Sequence, residues 1–414
     1  MYDVIVVGAR VAGSPTAMLL ARKGYRVLLL DRATFPSETL STHMITVAGS
    51  AQLRRWGLLE RVEATNCPPV KNIVLDLEFD DYGKVVLTGF PPPVDGDFAA
   101  IYAPKRTVLD KILVDAAVEA GAEMRENFTV KEILMEGERV IGIRGSTPSG
   151  PMVTEYARLV VGADGMRSLV ARSVDAPMYA TVQPESCGYY TYWSGVPLKG
   201  LEFYTRPQRT VIAFPTNDQH SAIFMEWPNR EFHTFRANLE ANYLKTIDDI
   251  APDLAERVHA GKVAHRFMGT ADLPNFFRKP YGPGWALVGD AGVHKDPITA
   301  QGITDAFRDS ELLAQAIDAG FAGRQPLDEA LAGYERKRNE ILMPIYEFIV
   351  EHATLEPFAP EFQQVMAALR GNQEATNRFF GVIQNTISWG EFFTPENLMQ
   401  ILGYANVAET AMAD

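Results

Sequence analysis

The sequence predicts an α/β fold in which a parallel β-α-β unit opens the chain, an antiparallel sheet interrupts it, and helices close it. Three observations lead there. Two short, β-branched apolar runs, YDVIVVG and YRVLLLD, flank a helix-like stretch at the N-terminus. From about residue 180 to 270 the texture changes to alternating aromatic and polar runs. At WALVGD, residues 285–290, the first texture returns.

Residues 2–8 read as a buried strand stopped by Gly8. Residues 13–23, GSPTAMLLARK, read as a helix, because Pro15 falls in the first turn and Gly24 can cap the end. Residues 25–31 make the second buried strand and complete a parallel unit. A loop-rich stretch follows, with Pro91-Pro92-Pro93 inside it. The next helix lies near 107–120: Leu109, Ile112, Leu113, Ala116 and Ala120 share a face, and Gly121 ends it. Residues 157–163, ARLVVGA, are again a buried strand. CGYYTYWSGVPL, RTVIAFP and HSAIFMEW read as strands of an antiparallel sheet, with Tyr190 and Tyr192 on one face and Tyr189 and Trp193 on the other. The strand at 285–290 leads through a loop to a helix near 302–319. From about 327 the chain reads as helical, with a kink expected at Pro344.

Length and composition agree with this plan. A chain of 414 residues, 47% hydrophobic, can bury two cores. The net charge of −13 disfavours nucleic-acid phosphate and anionic lipid as partners. The two cysteines, Cys67 and Cys187, form no CxxC pair and no metal-ligand spacing, so no metal is expected and a reduced, cytoplasmic setting is. No signal peptide and no membrane-spanning apolar run is read.

Four blocks carry candidate chemistry. The first is Gly8-Ala-Arg10-Val-Ala12-Gly13, between the first strand and its helix. Gly8 permits the tight turn, Gly13 lets the helix approach the strand, and the helix N-terminus offers N–H groups to a pyrophosphate. Arg10 stands where the middle glycine of GxGxxG would be, and it brings a positive charge instead. Asp31 ends the second strand, 18 residues after Gly13, where a carboxylate can accept from both ribose hydroxyls of an adenosine. Arg32 beside it is a candidate to stack on adenine. The second block is Arg106, just before the amphipathic helix; alone it would read as an exposed loop arginine. The third is Gly162-Ala-Asp164-Gly165-Met-Arg167-Ser168. The fourth is Gly289-Asp290-Ala291-Gly292, followed by Asp296-Pro297 and by Gln301-Gly302-Ile303 opening a helix. Any one of these is an ordinary turn; four in this order are not easily dismissed.

In that order the blocks resemble the FAD-dependent aromatic hydroxylases of the para-hydroxybenzoate hydroxylase type, the class A flavoprotein monooxygenases. The wider superfamily includes geranylgeranyl reductases and flavin-dependent halogenases. The resemblance covers roughly residues 2–320. It implies a Rossmann-like FAD-binding domain, discontinuous over 1–175 and 270–325. It also implies a β-sheet substrate domain over 176–269, with contributions from about 70–105, and a helical C-terminal region over 326–414. It further implies that Gly8, Ala12 and Gly13 lie by the pyrophosphate and Asp31 on the ribose. Arg106 then contacts the phosphate and ribityl region, and Asp164 belongs to a motif linked to FAD and pyridine nucleotide. Gly289 and Asp290 bind FAD, and Pro297 with Gln301, Gly302 and Ile303 runs under the flavin pyrimidine ring. The chain departs from the hydroxylases at Gly289-Asp-Ala-Gly-Val-His294, where GDAAH is usual, and from the halogenases in lacking WxWxIP. The nearest string to the latter is Tyr192-Trp-Ser-Gly-Val-Pro197.

In the resembled hydroxylases NADH or NADPH reduces FAD, O2 adds to give a flavin hydroperoxide, and an oxygen atom passes to an electron-rich substrate. The expected substrate is an aromatic or polyketide-like small molecule held in a dry, aromatic pocket. Alternatives are a double-bond reductase or saturase, a halogenase-like enzyme, and a non-catalytic FAD-binding redox sensor. His43, in a loop near the flavin by resemblance, and Tyr192 are candidate catalytic residues; His294 sits close to the fourth block. The C-terminal pairs Phe379-Phe380 and Phe392-Phe393 are candidates to close over the substrate or to form a dimer contact.

Overall fold

The first apolar run lies at the centre of a parallel sheet. Tyr2–Val7 pairs with Val27–Leu30 on one side and Val153–Gly162 on the other, both parallel. Trp285–Leu287 and Glu123–Arg125 extend the sheet outward, again in parallel. This computed structural model describes residues 1–403. Val4, Ile5 and Val6 are wholly buried because both sheet faces are covered, which is why these strands read as unbroken apolar runs. Helices Gly13–Arg22, Arg106–Glu119 and Gly302–Phe321 cover one face, through Ala17, Leu109, Phe307 and Leu313. The hairpin Thr129–Glu136/Arg139–Ser146 covers the other, through Ile133, Val140 and Ile143. Parallel strands point their C-terminal ends the same way, so Gly8, Asp31, the 163–165 turn and Gly289 gather along one edge.

The second sheet is mixed rather than antiparallel. Its order is Lys262–Val263, Ser186–Ser194, His220–Pro228, Arg209–Pro215, Leu201–Arg206, Ile73–Phe79, Gly83–Gly89. Leu201–Arg206 runs parallel to Ile73–Phe79. The two strands come from segments far apart in the chain, and a long connection permits parallel pairing. One face carries Tyr190, Phe203, Phe214 and Phe224; the other carries Tyr189, Trp193, Tyr204 and Trp227.

Two stretches differ from expectation. Phe232–Ala237, Leu239–Ile250 and Pro252–Ala260 are helices inside the segment read as strands. Tyr243, Ile247, Ile250, Leu254 and Val258 recur at helical spacing and cover the second sheet's outer face. Val47–Trp56 is a helix inside the segment read as loop. Gly49 weakens its sequence signal but is required there, because a Cβ would fall 2.5 Å from Thr304 Oγ1 on the neighbouring helix. The Leu327–His352 helix contains Pro344 and continues past it. Pro360–Ala368, Gln373–Ile383, Trp389–Phe392 and Pro395–Ile401 then pack on the inner face of the second sheet. Residues 404–414 of the expected helical region lie outside the described residues. No helix among the described residues is long and apolar enough to cross a membrane.

Candidate cofactor and substrate site

The first block makes a turn that only glycine fits. Gly8 has φ +102°, and a Cβ on Gly13 would lie 1.8 Å from the Gly8 carbonyl oxygen. The first helix therefore starts hard against the strand end. A Cβ on Gly289, whose φ is +62°, would lie 2.7 Å from Ala12 Cβ, so the first and fourth blocks meet. Ser310 Oγ, on the Gly302–Phe321 helix, donates to the Ala12 carbonyl at 2.9 Å and ties that helix to the same turn. Asp31 accepts from the N–H of Ala9 and of Ala33, each at 2.8 Å. The turn itself thus orients the carboxylate, whose oxygens keep further lone pairs for ribose hydroxyls. Arg32 is exposed.

Arg10 and Arg106 share one carboxylate. Arg10 Nη1 lies 2.6 Å from Asp110 Oδ2, and its Nη2 donates to Ser37 Oγ at 3.0 Å. Arg106 Nε lies 2.9 Å from Asp110 Oδ1. Arg106 is the first residue of its helix and is buried, not exposed. Two guanidiniums on one buried carboxylate leave a single positive charge beside the glycine turn, matched to a bound anion. Asp110 carries no motif signal in the sequence, where it reads as one more polar position on a helix. Asp110→Ala is expected to cost about 3 kcal/mol or more, since it strands a buried guanidinium. A urea midpoint equal to wild type would contradict this.

The two remaining aspartates behave differently. Asp164 faces its own loop, accepting from Ser168 Oγ at 2.5 Å and from Leu169 N–H at 2.6 Å. Burial raises its pKa, with these hydrogen bonds opposing. Asp290 is exposed, and its carboxylate takes no hydrogen bond or ion pair among the described residues. It is free to accept hydrogen bonds from a ligand. Pro297 opens the short turn Pro297–Thr299, capped by Asp296, whose Oδ1 accepts from Ile298 N–H at 3.0 Å. Gln301 is buried and Ile303 enters the core, but Gly302 between them is exposed, and a Cβ there would meet nothing within 4 Å. The N-terminus of a 20-residue helix is therefore open to a ligand. These residues fit FAD and could hold it, with Asp31 suited to ribose hydroxyls, the glycine turn and the Arg10–Asp110–Arg106 trio to a pyrophosphate, and the open helix end at 297–303 to a ring that carries negative charge.

His43 and Tyr192 come together. His43 Nδ1 lies 3.0 Å from the Ala103 carbonyl, and its Nε2 lies 3.0 Å from Tyr192 Oη. A carbonyl only accepts, so Nδ1 carries the hydrogen and Tyr192 donates to Nε2. Burial pushes His43 down to about 3, with Arg106 and Lys105 adding to the effect. His43 is thus not a base working near neutral pH; it is a neutral group that fixes the Tyr192 hydroxyl. Burial likewise raises Tyr192, which keeps its proton. His294 Nδ1 bonds the Pro274 carbonyl, and its ring stacks on Phe276.

Two cavities flank this region. One, of about 270 Å³, is polar and lined by Glu38, Lys105, Arg106, Tyr192, His220 and His265 among others. The other, of about 100 Å³, lies between the second sheet and the C-terminal helices, and Ile298, Thr299 and Gln301 form part of its wall. Leu75, Leu77 and Phe203 floor it, and Phe348, Phe362, Phe379 and Trp389 roof it. Tyr190 and Tyr192, which share one face of their strand, line the polar cavity. Phe379 reaches the apolar wall, whereas Phe380 and Phe392 are wholly buried.

Glycine turns and carboxylates at the ends of parallel strands, facing the open N-terminus of a long helix, define an FAD-binding flavoprotein of the oxidoreductase class. Residues 1–348 match the family described as FAD binding domain, and the chain belongs to it. It therefore falls in the superfamily that holds aromatic hydroxylases, geranylgeranyl reductases and halogenases. A digeranylgeranylglycerophospholipid reductase from Methanocella arvoryzae is 26% identical over 82% of this chain and 83% of its own. The flavin-dependent brominase Bmp2 superposes with a TM-score of 0.80 at 19% identity, over 100% of this chain and 99% of that one. PqsL, a probable FAD-dependent monooxygenase from Pseudomonas aeruginosa, gives 0.71 at 22% identity, over 92% of this chain and 99% of that one. Both structural likenesses establish the fold.

Proposed function

We propose that this chain is an FAD-dependent monooxygenase that takes electrons from NADH or NADPH and inserts one oxygen atom of O2 into an aromatic small molecule. The observation that carries the reading is the aromatic-walled cavity abutting residues 298–301, at the open end of the Gly302–Phe321 helix. Bound FAD would supply the electron transfer and the activation of O2. The chain's own residues do the rest. The helix N-terminus at Gly302 stabilises negative charge. The cavity walls exclude water. Asp31, Asp290 and the Arg10–Asp110–Arg106 trio hold the cofactor. Tyr192, its proton directed at His43 Nε2, presents its oxygen lone pairs to the polar cavity and positions a donor there.

The reading is tested by anaerobic reduction with NADH and with NADPH, with and without a panel of phenols and polycyclic aromatics, followed by O2. A compound that speeds reduction and leaves with one added oxygen atom supports it. Peroxide alone for every compound overturns it. Double-bond reduction without oxygen uptake would point to a reductase, the activity named for the Methanocella relative. Tyr192→Phe is expected to lower kcat/KM about tenfold, the value of one lost hydrogen bond in a buried site, with FAD content unchanged.

A further inference from the structure

The apolar cavity carries a hydrogen-bonding pattern of its own. Among the described residues, no Asp, Glu, Lys or Arg lines it. Its polar side chains are Thr205, Thr210, Thr299, Gln301 and His352. Gln301 is already engaged, donating to the Ile383 carbonyl at 3.1 Å and accepting from Lys295 at 3.3 Å. Thr210 is 1% exposed, and among the described residues its hydroxyl has no partner, nor has the Thr299 hydroxyl. Buried hydroxyls left unpaired are costly, so either can bond a polar group that enters the cavity.

His352 adds direction. Its Nδ1 lies 2.7 Å from the Phe348 carbonyl, one helical turn back. The carbonyl only accepts, so Nδ1 holds the hydrogen and Nε2 is a bare acceptor, with no partner among the described residues. Burial lowers the pKa of the ring and keeps it neutral. Phe348, Phe358 and Phe362 surround it, with centroids 3.8, 4.7 and 5.6 Å away. Beside the cavity, Glu78, Asp80 and Glu356 outnumber Arg206, which is itself bound to Asp76 and Glu78. On the His352 side of the cavity, away from the helix end at Gly302, these carboxylates disfavour an anion.

We propose that this cavity selects a flat, neutral aromatic molecule whose hydroxyl or amino group donates a hydrogen bond to Nε2 of His352, and that it rejects aromatic carboxylates. The substrate class rests on the monooxygenase reading; the binding preference does not, and it is measured without turnover. The oxidised holoprotein is titrated calorimetrically at pH 7.5 with 2-naphthol, 2-methoxynaphthalene and 2-naphthoate. The naphthol is expected to bind best, the ether about tenfold more weakly and the carboxylate more weakly still. His352→Leu should bring naphthol and ether within about twofold of each other. His352→Gln, which keeps an acceptor, should restore part of the preference; FAD content reports that each variant is folded. Equal binding of naphthol and ether to the wild type, tight binding of naphthoate, or a preference that survives in His352→Leu overturns the proposal. Should the preference hold while no compound is oxygenated, the monooxygenase reading fails alone.

Discussion

A Gly13→Val variant is expected to purify without its flavin, retaining less than about a tenth of the wild-type FAD. The steric argument is severe. The added Cβ would lie 1.8 Å from the Gly8 oxygen and 2.9 Å from the Gly8 carbon, both backbone atoms that cannot swing aside. Gly8 cannot retreat either, because its own Cβ position lies 2.4 Å from the Ala163 oxygen. The first helix must move off the strand end, and its N–H groups then leave the pyrophosphate. Hydrogen bonds to a charged group are worth roughly 1.5–3 kcal/mol each, so losing two weakens FAD binding by about 100-fold or more. Circular dichroism and reconstitution with added FAD separate this from misfolding. Gly302→Ala is the complementary variant, since its Cβ meets no protein atom within 4 Å and any loss of affinity reports on contact with the cofactor. A Gly13→Val protein as yellow as wild type would sink the assignment of this turn.

The parts of the fold legible in the sequence were those where one physical constraint dominates. Strands buried on both faces read as continuous apolar runs, and Gly8, Gly13 and Gly289 mark places where backbone or Cβ atoms crowd. The helices over 232–260 escaped because alternating aromatics just before them suggested strands, while their helical spacing becomes decisive only once they have a sheet to cover. Asp110 and His352 escaped for a different reason. Each acquires its role from partners distant in sequence or from the cavity around it: Asp110 from Arg10, 100 residues away, and His352 from a pocket enclosed by several separate segments, from Leu75 to Trp389. His43 was found as a residue, but its burial, and so its neutral state, was not visible in one dimension.

That neutral state has a measurable consequence. Acid is expected to destabilise the wild-type protein more steeply than a His43→Gln variant, with the difference developing as pH falls from 6.5 to about 3. In the unfolded chain the imidazole binds a proton below its ordinary pKa of 6.5; in the folded protein burial holds it neutral down to about 3. Between those limits the unfolded state binds a proton that the folded state does not, so stability falls with pH there and the effect is absent above 6.5. At about 1.4 kcal/mol for each pH unit of the gap, roughly 4–5 kcal/mol is lost by pH 3. Carboxylates titrate in the same window, but they are common to both proteins and cancel in the comparison. Glutamine can keep a donor for the Ala103 carbonyl and an acceptor for Tyr192, so it removes the titration while retaining the hydrogen-bonding pattern. Urea midpoints at pH 7.5, 6, 5 and 4, read by tryptophan fluorescence, should converge or cross as pH falls, with wild type ahead at pH 7.5. Parallel curves would mean that His43 already meets water, and that the Tyr192 hydroxyl is not locked by a permanently neutral imidazole.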